Sequence, residues 1–312
     1  MPGDEENTMK NKFTIWLLAA GLAPAVLLTG CSRRDEATIG TPANPLVVVI
    51  SPAHTPAGST QALDFIKKSL GAATAMTVEI KTAKTPAETI KLFDMGKADA
   101  GLVTLEEYLV AREEYGVHAP LQALRGAGLT EYDAAILTRA KDGITDVKEL
   151  AGKKFGVTGP YSFSGFTLPC IYLAKAGIKP ERVVSASHNE NIARLLKGDF
   201  PAAASFAGQA LHHAGLKVLA ITGRVPNEPL VVRRSLAADK RTLLVSAFLA
   251  LGNTAEGRKA LGALADITGF RPVDEDVYKP VHDLLLKEGR SVYDLVPDGW
   301  EIQRLNQPYM PD

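Results

Sequence analysis

From Leu46 onward, short apolar runs alternate with segments whose apolar residues recur every three or four positions, the pattern of strands joined by crossover helices. Leu46–Ser51 predicts the first strand; after a polar loop to Ser59, Leu63, Ile66 and Leu70 share one helical face. Met76–Lys81 predicts a second strand. Its helix opens with Thr85-Pro86-Ala87-Glu88, a capping box with proline at the first helical position. Ala100–Val103 predicts a third strand, and Thr104-Leu105-Glu106-Glu107 repeats the box before a helix to about Glu114. A strand-like stretch, Tyr132–Thr138, leads into a second series: a strand at Lys154–Thr158, a helix at Leu168–Ala176, a strand at Val183–Ser185 and a helix at Asn189–Lys197. Ala202–Ser205 and Lys217–Ile221 add strands, a proline-bounded return segment starts at Arg224, and helices dominate from Ala237. The expectation is an α/β fold of two lobes, each a mainly parallel sheet flanked by helices, with a two-strand hinge and a cleft between them. The first lobe spans residues 45–137, the second 138–224, and residues 225–312 return to the first.

The N-terminus breaks this pattern. Lys10 and Lys12 precede an uncharged apolar run, Phe13–Leu28, which is short for a membrane span and fits a signal peptide over residues 1–30. The run closes on Leu28-Thr29-Gly30-Cys31, which resembles the bacterial lipobox and makes Cys31 the expected lipidation site. Residues 32–44 lack an apolar period and read as a solvated tether. The expected location is therefore the bacterial cell envelope, on the periplasmic side, anchored to the membrane through lipid.

Charge narrows the partners. With 35 basic and 35 acidic residues in 312, the formal charge is zero, and loss of Asp4, Glu5, Glu6, Lys10 and Lys12 with the leader moves it to +1, so no nucleic-acid partner is expected. Two cysteines, Cys31 and Cys170, make neither a disulfide framework nor a metal knuckle. Cys170, beside Ile171 in an apolar helix, is expected as a buried thiol, and no histidine pair stands at ligand spacing, so no metal or cofactor is expected.

Ligands of open parallel sheets bind beyond the carboxyl ends of the strands. At those junctions stand His54, Thr85, Thr104, Ser162, Ser164, His188 and Ser205, nearly all hydroxyls or imidazole. Helix N-termini converging there favour a tetrahedral oxyanion. Thr85 and Thr104 are explained equally well as caps, and His188 as either an oxyanion donor or a capping histidine. Tyr108, one turn into its helix, is within reach of the cleft or belongs to the core. Gly159-Pro-Tyr-Ser-Phe-Ser-Gly165 carries more glycine, proline and serine than one cap needs and fits an anion-cradling turn, with an irregular first turn expected from Pro169. The chain has no H-E-x-x-H, G-x-x-x-x-G-K, G-x-G-x-x-G or G-x-S-x-G motif, so catalysis is not expected.

At Leu150-Ala-Gly-Lys-Lys-Phe155, Ser162-Phe-Ser-Gly165 with Pro169, Ser185-Ala-Ser-His188, Ile192–Gly198, Gly96-Lys-Ala-Asp99 and Pro226-Asn-Glu-Pro229, the chain resembles the phosphate, phosphite and phosphonate binding proteins of ABC importers. The resemblance implies a type II periplasmic-binding-protein fold, no enzymatic activity, a monomer, and delivery of a small oxyanion to an ABC permease. It assigns ligand contacts to Ser162, Ser164, His188, Tyr108 and the backbone N–H of Phe163. Phe163, Thr85-Pro86 and Pro201 depart from the family pattern; loss of a tyrosine and an acid argues against an amino-bearing phosphonate, and Phe163 suggests a smaller or more apolar substituent on the anion. Two alternatives stay open: an oxyanion sensor for a histidine kinase or chemoreceptor, and an envelope enzyme on the same fold.

Overall fold

The computed structural model describes residues 34–94 and 96–304. The leader and Cys31 lie outside them. Among the described residues the chain builds two sheets. The first has the order β11-β4-β10-β3-β1-β2, from β1 (Leu46–Ile50), β2 (Val78–Thr82), β3 (Ala100–Leu102), β4 (His118–Leu124), β10 (Pro229–Val232) and β11 (Gly269–Pro272). The second has the order β7-β6-β8-β5-β9, from β5 (Glu131–Arg139), β6 (Lys154–Val157), β7 (Glu181–Val184), β8 (Ala202–Phe206) and β9 (Leu216–Pro226). Helices cover them: α1 (Thr60–Thr74), α2 (Pro86–Asp94), α3 (Leu105–Tyr115), α4 (Leu168–Lys175), α5 (His188–Lys197), α6 (Gln209–His212), α7 (Ala238–Leu251), α8 (Ala255–Ala265) and α9 (Lys279–Lys287).

The parallel expectation holds for β2-β1-β3 and β7-β6-β8, while β4, β5, β9, β10 and β11 pair antiparallel. The short β4–β5 and β9–β10 segments carry the chain between the two sheets, and the strands at their ends lie antiparallel to their neighbours. Tyr132–Thr138, expected in the first lobe, belongs to the second sheet, where β5 pairs with both β8 and β9. Its apolar residues identified a strand but not the sheet that would accept it. The return segment is itself strand, because β9 runs on to Pro226 along β5. Strands β4 and β11 were not anticipated.

Asn227 ties the hinge together. Its Nδ2 donates to the carbonyls of Ala123 (3.1 Å) and Leu129 (2.8 Å), and its backbone N–H to that of Thr130 (2.8 Å). Both crossings are thus fastened at one residue.

The expected solvated tether is different in the structure from Arg34 on. Arg34 Nη1 donates to Asp99 Oδ2 at 2.8 Å, and Arg233 Nε to Asp99 Oδ1 at 2.8 Å, while Asp99 is fully buried. Arg233 also holds Glu36, and Lys240 Nζ donates to the Glu36 carbonyl. A buried carboxylate needs such partners, and supplying one of them from residue 34 fastens this segment to the first lobe. The Gly96–Asp99 motif thus has a structural task here.

One apolar cluster joins the lobes. Phe163 and Leu168 of lobe two pack in the same core as Tyr108, Tyr278 and Val281 of lobe one. On that side Lys175 Nζ lies 2.6 Å from Glu288 Oε1, and Arg290 Nη1 donates to Thr167 Oγ1 at 2.9 Å.

Candidate functional site

A cleft of about 510 Å³ opens between the lobes, and His54, Thr104, Glu106, Arg125, Tyr132, Ser162, Ser164, His188 and Glu228 are among its lining residues. The lobe-two wall grows from the Gly159–Gly165 turn. Ser162 is extended and caps the following helix, its Oγ accepting from Gly165 N at 3.1 Å. Phe163–Thr167 then form a π-helical turn running into α4. Pro169 explains the wide turn: it lacks an N–H and its ring crowds the carbonyl four residues back, so a regular α-helical start is unavailable.

His188, the first residue of α5, faces this turn. Its Nδ1 is 2.9 Å from Ser205 Oγ and its Nε2 is 3.4 Å from Ser162 Oγ. The ring spans the two serines, and a proton on Nε2, with Ser205 Oγ donating to Nδ1, would face Ser162 and the cleft. Burial pushes His188 down to about 4, so the imidazole is neutral at neutral pH. Close packing holds it there: a Cβ on Gly165 would lie 2.1 Å from Thr158 Oγ1 and 2.9 Å from His188 Cε1. The ring of Tyr132, on β5, lines the same cleft and meets Phe206 edge-on.

The lobe-one wall is charged. Arg125 holds Glu228 through a two-armed ion pair, with His54 Nε2 3.6 Å from the same carboxylate. Burial raises the Glu228 carboxyl, but Arg125 and His54 outweigh it and leave it below its ordinary range. Burial lowers His54 despite Glu228, favouring the neutral ring. Glu106, in the first turn of α3, reaches across the cleft, and its Oε1 accepts from Phe163 N at 3.1 Å. Burial pushes its carboxyl up to about 7 against the hydrogen bonds it receives. Glu107, next in sequence, closes the capping box with Thr104 and accepts from Ser51 Oγ at 2.9 Å; burial raises it to about 7 as well.

Ser162, Ser164, His188, Thr104 and His54 therefore meet at one cleft, with Ser205 directly behind His188. Two expected contacts, Thr85 and Tyr108, lie elsewhere. Thr85 is exposed and receives Glu88 N at the head of α2. Tyr108 is fully buried, stacked edge-on against Tyr278 at 5.0 Å with its hydroxyl on Glu275, because its helical face turns toward the core rather than the cleft. The Phe163 ring is buried in the interlobe cluster and borders a separate cavity of about 230 Å³; its backbone N–H, held by Glu106, is the part that faces the site. The ring therefore does not shape the ligand's substituent. Cys170 is half-buried, with Arg182 Nη1 4.0 Å from Sγ.

Glu106, Arg125, Tyr132 and Glu228 were missed in the sequence. Glu106 was visible only as part of a capping box, whereas Arg125 and Glu228 flank the two hinge crossings, and polar residues beside both crossings were the available signal. Among the described residues, no group of three or more histidines, cysteines or acids is placed to hold a metal ion.

Comparison with known proteins agrees with this architecture. PhnD1 from Prochlorococcus marinus in complex with methylphosphonate superposes with a TM-score of 0.65 at 17% identity, over 80% of this chain and 100% of that one. A binding protein component of an ABC phosphonate transporter from Pseudomonas aeruginosa gives 0.62 at 22%, over 78% and 86%. A Xanthomonas citri protein bound to chloride gives 0.63 at 19%, over 77% and 95%. At these identities the likeness shows the fold, a type II periplasmic-binding-protein architecture. Among curated proteins no sequence matches. The family model described as "ABC transporter, phosphonate, periplasmic substrate-binding protein" matches residues 48–278, both sheets and the cleft included, and the chain thus belongs to the periplasmic substrate-binding proteins of phosphonate ABC transporters.

Proposed function

We propose that this protein captures a small phosphorus oxyanion, a phosphonate, phosphite or phosphate, and delivers it to an inner-membrane ABC permease while anchored by lipid at Cys31. The observation that carries the reading is the convergence of Ser162, Ser164 and neutral His188 at one helix entrance, facing Thr104, Glu106 and His54 across the cleft. Hydroxyls, imidazole N–H and helix-end N–H groups hold an anion without a full countercharge. Residues from both lobes touch the same space, so a ligand there stabilises closure through its differential affinity for the closed form. The methylphosphonate in the Prochlorococcus relative supports a phosphorus anion as cargo.

The test uses residues 32–312, which include the compact unit Arg33–Asp312, in thermal unfolding against phosphate, phosphite, methylphosphonate, 2-aminoethylphosphonate, sulfate and arsenite. The cargo at a hundred times its Kd should stabilise by about 2.7 kcal/mol. Stabilisation by none of them would refute oxyanion capture. Loss of membrane association in Cys31→Ser, judged by fractionation, tests the anchor.

A further inference from the structure

The cavity of about 230 Å³ that the Phe163 ring borders is separate from the oxyanion cleft, for only Pro226 of the hinge lines both. Its walls come from both lobes. Phe163 and Leu168 belong to lobe two, Val281 and Leu284 to α9, and Val225 to the hinge strand β9.

Charged groups line this largely apolar space as well: Arg224 and Arg271, with Glu131 as the acid. Arg224 is already paired, its Nη1 donating to Glu131 Oε1 at 2.8 Å and its Nε lying 3.6 Å from Asp133 Oδ1. Arg271 is held differently. Its Nε and Nη2 both donate to Gln122 Oε1, at 3.0 and 2.8 Å, a neutral acceptor, and among the described residues no carboxylate stands at ion-pair distance from it. Gln122 is buried, and its own Nε2 donates to the Thr130 carbonyl at 3.0 Å, so the guanidinium is set in place before any ligand arrives. A preset donor loses little side-chain freedom on binding, and a guanidinium matches the two oxygens of a carboxylate.

Charge and size define the occupant. Two arginines against one glutamate leave one positive charge on the lining, which a monoanion balances and a dianion overshoots in apolar surroundings. The volume equals that of about eight waters in the liquid, which suits a carboxyl group with a tail of about five carbons. The geometry points to a second ligand site, for a small apolar monocarboxylate whose acid group rests on Arg271 and whose tail lies between Leu168 and Leu284. This site is independent of the oxyanion reading, since none of its side chains belongs to the serine turn, His188 or the charged wall of the cleft.

The test is calorimetric titration of residues 32–312 near neutral pH with hexanoate, butyrate and hexanamide. Hexanoate should bind at least about tenfold more tightly than its neutral amide, and each methylene removed toward butyrate should weaken binding about fourfold. Arg271→Gln should weaken hexanoate roughly tenfold to a hundredfold, and Leu284→Trp, which fills the cavity, should abolish its binding, with the thermal unfolding midpoint of each variant retained as the check on folding. Equal binding of acid and amide, or full hexanoate affinity in Arg271→Gln, overturns the site. Hexanoate binding that is lost in His188→Ala and kept in Arg271→Gln places the acid in the oxyanion cleft and overturns it too. An absence of binding at about 10 mM hexanoate, a concentration that should load a ligand of this size, overturns the second site and leaves oxyanion capture standing. Should one variant fail to fold, the other variant and the acid-to-amide ratio of wild type decide.

Discussion

The two walls of the cleft are built from different chemistry. Lobe two offers hydroxyls, a peptide N–H and a neutral imidazole, with no formal charge among Ser162, Ser164 and His188. Lobe one offers Glu106, the Arg125–Glu228 ion pair and His54. Neutral donors from a short turn and a helix start are placed by local backbone, so they stand ready whether or not the lobes close. The charged wall depends on residues far apart in sequence, since Arg125 follows β4 and Glu228 precedes β10. The lesson is a difference in construction: the lobe-two donors come from one local turn and a helix start, and the lobe-one charges come from segments that only the hinge crossings bring together.

The largest test of that contrast removes the charge that keeps the lobe-one wall stable. Arg125→Ala leaves Glu228 buried with only His54 beside it, and should destabilise the protein by about 3 kcal/mol in denaturant unfolding. A loss within a few tenths of a kcal/mol would show that the pair is not structural.

On the opposite wall, His188→Ala should weaken oxyanion binding by roughly tenfold to a hundredfold in calorimetry, the range for a hydrogen bond to a charged group, with the fold retained. Unchanged affinity would make the imidazole a capping residue only.

Acidity separates the walls by sign. Burial holds Glu107 near 7 against an ordinary 4.5. Below 4.5 both folded and unfolded states are protonated. As pH rises toward 7 the unfolded chain releases its proton first, and stability falls by an amount on the order of 2 kcal/mol. His188 works in reverse: its folded value near 4 against 6.5 means stability is lost as pH falls from 6.5 toward 4. Between about pH 4 and 7 the Glu107→Gln stability curve should lose a fall with rising pH and the His188→Ala curve should lose a rise; matching curves would erase the contrast.

The smallest effects are expected where sequence reasoning placed ligand contacts outside the cleft. Thr85→Ala should cost about 1 kcal/mol of stability through loss of its cap. Tyr108→Phe should cost about 1 kcal/mol through loss of the hydrogen bond to Glu275. Neither should change anion affinity, and a measurable change in either would return lobe-one contacts to those positions.

Much of the site was legible. The serine turn, His188 and the helix that Pro169 distorts are local features, each encoded within a few residues, and the structure brings them together at one cleft. Thr104 and His54 were legible for the same reason, as the polar ends of their strands. Tyr108 was not, because one turn into a helix the direction of a side chain depends on which face the core claims. Phe163 divided the same way: its N–H faces the site and its ring packs between the lobes.

The sequence by itself determined the alternation of strands and helices, the capping boxes, the serine-rich turn and the family resemblance, because strand period, helix period and cap chemistry act over neighbouring residues. Only the tertiary structure decided that β5 joins the second sheet, that residues 34–44 are strapped to lobe one through Asp99, and that Glu106, Arg125 and Glu228 line the same cleft. Those outcomes depend on strand pairing and ion pairing between residues as far apart as 34 and 99 or 125 and 228. Such pairings form only when the hinge crossings bring distant segments into contact, and no local pattern along the chain encodes them.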